Sequence, residues 1–219
     1  MLAPVRFEIQ PKSTALIIVD MQNDFLLSNS PACTPDGVSI IPNIRKLSDC
    51  CRSMGVHVIY IVHVLRRDGS DEGIMGVLAN ARGGRAERII LEGSRGAEIH
   101  ADLKPRGREV VIKKLRFSAF QGTELETLLR SMGVDTVIIT GVTTETCCET
   151  TARDAMHREF KVVFVSDATA AHDIGDVGFG IIPHEVVQKV TCSILGTKFG
   201  MVAKTDDVVK MMGASRRRR

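Results

Sequence analysis

Several familiar sequence patterns are missing from this chain of 219 residues. No apolar stretch is long enough to span a membrane, and the first ten residues lack the basic, apolar and small-residue order of a signal peptide. No G-x-G-x-x-G follows a predicted strand, and no G-x-x-x-x-G-K-[ST] occurs, so a dinucleotide or nucleoside triphosphate is not expected. These absences predict a soluble cytoplasmic protein that works without a cofactor and without a membrane partner.

Cysteine spacings typical of metal sites are also missing. Neither C-x-x-C nor the spacing of a zinc site occurs. The cysteines form two adjacent pairs and two single residues: Cys33, Cys50, Cys51, Cys147, Cys148 and Cys192. Reduced thiols in a cytosol fit this pattern best.

The basic excess of the chain belongs to its end. A formal net charge of +3 includes the four arginines at 216–219, and 3 − 4 = −1, so the remainder is near neutral. Such a run could bind nucleic acid or act in targeting, but a short run after a helix is more typical of a solvated terminus. With 44% hydrophobic residues, the length suits one core. We therefore predict a single domain over residues 1–213, a basic disordered tail over 214–219, and no nucleic-acid partner.

Short β-prone runs alternate with segments of helical periodicity along the chain. Strands are predicted at 14–20, 56–65, 109–113, 135–140, 161–165 and 199–203, and helices at 38–54, 122–132, 183–195 and 206–212, with a further helix in 141–160. This alternation predicts an α/β fold in three layers, α/β/α, around a mostly parallel, Rossmann-like sheet of six strands. The glycine-rich connection 66–107 is long enough to be a lid or an oligomer contact.

Chemically useful residues stand at the carboxyl ends of predicted strands, where open α/β sheets bind ligands. Asp20 follows the first strand, although it could simply cap the next turn. Lys114 follows the third strand, although lysines there usually face solvent.

Cys147 follows the fourth strand at a predicted helix start. Thr146 and Glu149 fit a capping box, and Thr144 is an alternative cap. The helix dipole at this position would favour a thiolate nucleophile, whereas the alternative is a small buried residue. The spacing of Cys148 from the following alanines, Ala152 and Ala155, predicts that these three belong to the core.

Four segments of the chain together carry a family resemblance. DMQNDF (20–25), KKLRFSAF (113–120), GVTTETCCETTARDA (141–155) and SDATAA (166–171) resemble the signature segments of isochorismatase-like cysteine hydrolases. That family includes nicotinamidases, N-carbamoylsarcosine amidase, biuret hydrolases and ureidoacrylate amidohydrolases. The resemblance extends from about residue 14 to about residue 209.

The resemblance implies a catalytic triad of Asp20, Lys114 and Cys147. It also implies a cis peptide between Val142 and Thr143, and an oxyanion hole made by the backbone N–H groups of Thr143 and Cys147. Asp20 would take the thiol proton, Lys114 would orient both groups, and Cys147 would attack an amide-type carbonyl to form a thioester. The implied substrate is a small amide, carbamoyl or ureido compound, and the implied assembly is a homo-oligomer, a dimer or tetramer.

Departures from family patterns narrow this interpretation. Nicotinamidases of the family carry an Asp-x-His and a further histidine that bind a metal, whereas this chain has HVLRRDGSDE at 63–72; we therefore disfavour a nicotinamidase and predict no metal. Glu145 stands where the family usually has Asp or Asn. Two alternatives remain: an isochorismatase-type vinyl-ether hydrolase that uses Asp20 without the thiol, and a non-catalytic interaction protein.

Residues near the strand ends are candidates for substrate binding. They are Phe25, His63, Arg66, Arg116 and Phe117. The arginines could bind a carboxylate or the carbonyl of a ureido group. Gln22 and Asp24 are expected to fix the loop after the first strand instead.

Overall fold

A parallel sheet of six strands lies at the centre of the protein, in a computed structural model that describes residues 3–81 and 88–217. The strands are β1 (Thr14–Val19), β2 (His57–His63), β3 (Val110–Lys114), β4 (Thr136–Val142), β5 (Lys161–Ala170) and β6 (Met201–Ala203). Their order is β3-β2-β1-β4-β5-β6, and every neighbouring pair is parallel. The predicted α/β fold class is confirmed.

Helices cover both faces of the sheet. They are α1 (Asn23–Leu26), α2 (Ile41–Ser53), α3 (Ile74–Ala81), α4 (Leu125–Ser131), α5 (Glu149–His157), α6 (His184–Lys198) and α7 (Thr205–Arg217). Successive side chains of β1 point to opposite faces. Leu16 and Ile18 pack in one core cluster with α2 and α7, while Ala15 and Ile17 pack in the other with α4, α5 and α6. In the described part of the chain, no helix has the length and apolar character needed to cross a membrane.

Several predicted element boundaries are wrong. Helix α3 was not predicted, and β5 continues through the polar Ser166 and Asp167 to Ala170. Helix α7 continues to Arg217, beyond its predicted end at Met212. The predicted tail includes Arg218 and Arg219, which lie outside the described residues.

A close approach between β1 and β4 requires glycine at position 141. Gly141 pairs with Val19 and has a φ of 114°, and a Cβ atom at this position would collide with the Val19 carbonyl oxygen. An L side chain is disfavoured there on both grounds. The ends of β1 and β4 therefore lie tightly side by side, which brings the residues that follow each strand together.

Candidate active site

Three predicted site residues meet at the carboxyl edge of the sheet. Lys114 Nζ lies 2.8 Å from Asp20 Oδ2 and 3.3 Å from Cys147 Sγ. Asp20 is 1% exposed, Lys114 is 0% exposed and Cys147 is 6% exposed. A carboxylate, an ammonium and a thiol are thus in direct contact and nearly excluded from water.

Lys114 belongs to β3 and not, as predicted, to the segment after it, and its side chain is buried although lysines at a strand end usually face solvent. It is the last residue of β3, which β2 separates from β1. Neighbouring strands are about 4.8 Å apart, so a side chain reaching from β3 to the end of β1 must cross about 10 Å. The long lysine stem spans that distance, and Nζ also donates a hydrogen bond of 3.1 Å to the Arg116 carbonyl.

The loop after β1 fixes the carboxylate. Asp20 has a φ of 51°, in the left-handed region that few non-glycine residues adopt and that is often found at functional sites. Gln22 ties this loop to the end of β2, because its amide donates to the His63 carbonyl at 2.9 Å and accepts from the His63 N–H at 2.8 Å. Gln22 therefore fixes the loop, as predicted.

The turn that carries Cys147 differs from the predicted capped α-helix. The Val142–Thr143 peptide is cis, and residues Thr144–Cys148 form a π-helical turn before α5 begins at Glu149. The Cys148 N–H donates to the Thr143 carbonyl at 3.0 Å, which is the i to i+5 bond of a π turn. The capping box is wrong, because Thr146 Oγ1 instead donates to Glu145 Oε1 at 3.3 Å.

Burial reverses the predicted effect on the nucleophile. Desolvation raises the pKa of the Cys147 thiol, and the Lys114 cation only partly opposes this shift. The helix-dipole argument for a resting thiolate is therefore wrong. Burial also raises the pKa of Asp20, against the lowering effect of Lys114. Burial alone would lower the pKa of Lys114, but Asp20 and Cys147 raise it, so the ammonium stays charged.

The site offers a poor place for a metal ion. Within the described ranges, Asp20, His63 and Cys147 form the one group of three or more residues whose metal-ligating atoms all lie within 4.8 Å of one another. The Lys114 ammonium already lies between the carboxylate and the thiol. A second cation there would face a buried positive charge, so this donor set does not fit a resident metal.

The predicted substrate-binding residues occupy different surroundings. His63 is buried beside Asp20 and Cys147, whereas Phe25 packs against a core cluster. Arg116 Nη1 donates to the Asp71 carbonyl at 3.1 Å, which ties two loops together. Arg66 and Phe117 are exposed. The structure therefore brings His63 next to the Asp20 and Cys147 side chains.

One neighbour of the site was missed in the sequence. His172 Nδ1 lies 3.9 Å from Oε1 of Glu145, in the turn that carries Cys147. Its position directly after SDATAA, the motif at the end of β5, could have indicated that His172 lies near the site.

The fold and this site define a class, the α/β proteins that carry a cysteine, an aspartate and a lysine at the carboxyl edge of a parallel sheet. The family model described as "Isochorismatase domain" matches residues 14–181. The chain belongs to the isochorismatase family, and the predicted family membership is confirmed.

Similar proteins agree with this assignment. N-carbamoylsarcosine amidase from Arthrobacter sp is 32% identical over 204 residues, which cover 91% of this chain and 71% of that protein. Nicotinamidase 3 from Arabidopsis thaliana is 35% identical over 161 residues, which cover 73% of this chain and 74% of that protein. The crystal structure of a cysteine hydrolase from Pseudomonas syringae pv. phaseolicola 1448A has a TM-score of 0.92 and 38% identity, covering 97% of this chain and 98% of that one.

Proposed function

We propose that this protein is a cysteine amidohydrolase that cleaves a C–N bond in a small amide, carbamoyl or ureido compound. The observation that carries the proposal is the contact of one buried ammonium, Lys114, with both Asp20 and Cys147. The similarity to an N-carbamoylsarcosine amidase and to a nicotinamidase supports the C–N bond as the target.

Asp20 is the proposed base and acid of the reaction. Its carboxylate accepts the Cys147 thiol proton as Sγ bonds to the substrate carbonyl carbon, and the carbonyl electron pair moves to oxygen. The backbone N–H groups of Thr143 and Cys147 are proposed to bind that oxyanion. Asp20 then gives its proton to the leaving nitrogen, the C–N bond breaks, and ammonia or an amine leaves behind a thioester.

Water completes the cycle. Asp20 takes a proton from the water molecule that attacks the thioester carbon, and the carbon–sulfur bond then breaks. The Cys147 sulfur leaves as a thiolate and recovers the proton from Asp20. Lys114 stays protonated throughout, orients the two reacting groups and balances the negative charge that moves between them.

The proposal is tested by a screen of small amides, carbamoyl compounds and ureido compounds, with nicotinamide included, for release of ammonia or amine. Cys147→Ser should abolish turnover of any compound that is hydrolysed. Cys148→Ser is the matched control, because Cys148 is a neighbouring buried thiol that takes no part in the proposed mechanism. Intact mass spectrometry of the wild type during turnover should detect an acyl adduct on Cys147.

Full turnover by Cys147→Ala would contradict covalent catalysis. Hydrolysis of a vinyl ether by that variant, with loss of activity in Asp20→Asn, would instead favour the thiol-independent reaction. A chain that hydrolyses none of the compounds and forms no adduct would favour the non-catalytic alternative.

We also propose that the chain forms a homo-oligomer, a dimer or tetramer, through the connection that carries α3. Ile74, Val77 and Leu78 recur at helical spacing and are 60%, 61% and 51% exposed. Such an apolar face is typical of an interface. Sedimentation of Val77→Asp should show a smaller species than the wild type, and an unchanged mass would contradict this contact.

A further inference from the structure

His63 holds a buried polar atom that no protein group satisfies. It is the last residue of β2, next to Lys114 in the register with β3, and it is 3% exposed. A ring nitrogen lies within 4.8 Å of ligand atoms of Asp20 and Cys147. Within residues 3–81 and 88–217, His63 Nε2 has no hydrogen-bond partner. Buried polar atoms in proteins are nearly always paired, so this exception needs an explanation.

The surroundings of the ring decide what Nε2 can do. The Leu115 backbone favours an N–H on the imidazole, and since Nε2 is unpaired we assign the ring proton to Nδ1. Burial, helped by the Lys114 and Arg116 cations, lowers the pKa of His63 to about 3. The ring is therefore neutral at physiological pH. In a neutral imidazole whose Nδ1 carries the proton, Nε2 is a hydrogen-bond acceptor.

Backbone contacts fix the position of His63 in the site, and burial restricts its ring. The His63 N–H and carbonyl are both bonded to Gln22, the residue that also fixes the loop carrying Asp20. The backbone of His63 is thus fixed, and its buried ring lies beside the proposed nucleophile and base. The proposed substrates carry N–H groups next to the carbonyl carbon that Cys147 would attack, and esters do not.

We propose that Nε2 of His63 accepts a hydrogen bond from a substrate N–H, and that this contact selects amides and ureido compounds with a free N–H over esters and fully substituted amides. The inference rests on the proposed function, since it assigns a partner to the group that the proposed nucleophile attacks. It makes His63 a substrate-binding residue, while proton transfer stays with Asp20.

Alkylation of Cys147 tests this contact without any turnover. Iodoacetamide carries an N–H donor, and methyl iodoacetate is a reagent of similar size without one. The rate of Cys147 labelling by each is measured by peptide mass spectrometry and divided by the rate of the same reagent with free cysteine. The wild type should prefer iodoacetamide by about tenfold, the effect of one neutral hydrogen bond.

Two variants and one control complete the test. His63→Leu should lose the preference for iodoacetamide while keeping the rate with methyl iodoacetate, and His63→Gln, whose side-chain oxygen is an acceptor, should restore part of it. His57→Leu is the control, because His57 lies at the exposed start of the same strand. Thermal unfolding of each variant checks that the fold is kept.

Two results would overturn the inference. One is an unchanged preference in His63→Leu, and the other is an equal loss of rate with both reagents, which would indicate a purely structural role. Amide hydrolysis with a His63-independent preference would refute this inference alone. A His63-dependent preference in a protein that hydrolyses no amide would support the N–H contact and count against the proposed function.

Discussion

Two clusters in this protein combine a carboxylate, a cation and a third polar group, and they are built differently. In the Arg52–Glu109–Tyr60 cluster, Arg52 donates to both oxygens of Glu109, at 2.7 and 3.0 Å, and to the Tyr60 hydroxyl at 3.1 Å. In the Asp20–Lys114–Cys147 cluster, one ammonium serves both a carboxylate and a thiol. The first cluster is partly exposed and the second is buried.

The difference concerns which protons can move. An arginine fork on a carboxylate satisfies both oxygens, and a guanidinium keeps its protons, so that arrangement can only hold elements together. Asp20 and Cys147 instead share a single cation, and burial disfavours charge on both of them. A proton can therefore pass between the thiol and the carboxylate at little cost in net charge. The contrast separates a stabilising ion pair from a reactive one.

The largest effect is expected from removing the buried cation. Lys114→Met leaves the Asp20 carboxylate without a counter-charge, and breaking a buried ion pair typically costs about 3–5 kcal/mol of stability. Turnover should be lost as well. The measurements are urea unfolding and the release of ammonia from the best substrate of the screen.

A double variant separates the two losses. Lys114→Met combined with Asp20→Asn removes both charges, so most of the stability should return while activity stays absent. A double variant as unstable as Lys114→Met alone would indicate that the lysine stabilises the fold through packing. That result would contradict the claim that Lys114 acts in this cluster as the counter-charge of Asp20.

The two carboxylates should also respond to pH in opposite directions. The folded-state pKa of Asp20 is raised above 3.8, so its contribution to stability is present below that pH and is lost as pH rises through the folded pKa. Although burial opposes it, Arg52 lowers the pKa of Glu109 below 4.5. The contribution of Glu109 is therefore present above pH 4.5 and is lost as pH falls through its folded pKa.

The measurement is the free energy of unfolding between pH 3 and 8. The values for Asp20→Asn and for Glu109→Gln are each subtracted from the wild-type value at the same pH, which gives the contribution of each carboxylate to stability as a function of pH. The Glu109 difference should grow with pH, and the Asp20 difference should shrink. Turnover should decline by about tenfold for each pH unit below the folded pKa of Asp20, since the base must be ionised. Slopes of the same sign would remove the proposed distinction between the clusters.

How far the sequence could predict this site follows from the same contrast. Asp20 and Cys147 follow apolar strands, and parallel strands end at a common edge, so their proximity was predictable. The burial of Lys114 was not predictable, because it depends on the strand order. That order decides whether a lysine at a strand end faces solvent or reaches past the neighbouring strand to a buried partner. The pKa direction of Cys147 was missed for the same reason, since a helix-dipole argument takes no account of desolvation.

The wrong fold predictions have local causes. Helix α3 presents Ile74, Val77 and Leu78 outward, so it lacks the polar face by which a surface helix is recognised. The π turn before α5 needs a bond from Cys148 to Thr143, and residue types do not encode an i to i+5 bond. Strand β5 resumes its pairing with β4 beyond the polar Ser166 and Asp167, where Gly141 pairs with Thr169 after a shift of register, and such long-range pairing is not visible in the local sequence.

The smallest effect is expected from the Arg52–Glu109–Tyr60 cluster. Arg52→Met leaves Glu109 with less hydrogen bonding in a partly buried place, which should cost about 1–3 kcal/mol of stability. Turnover per folded molecule should be unchanged, because the cluster lies away from the Cys147 side chain. Lys46→Met is the control, since the Lys46–Asp206 pair is 53% and 63% exposed and such pairs contribute about 0–1 kcal/mol. Lower turnover with unchanged stability in Arg52→Met would contradict the comparison. It would mean that a cluster whose carboxylate oxygens are both hydrogen-bonded is not purely structural in this fold.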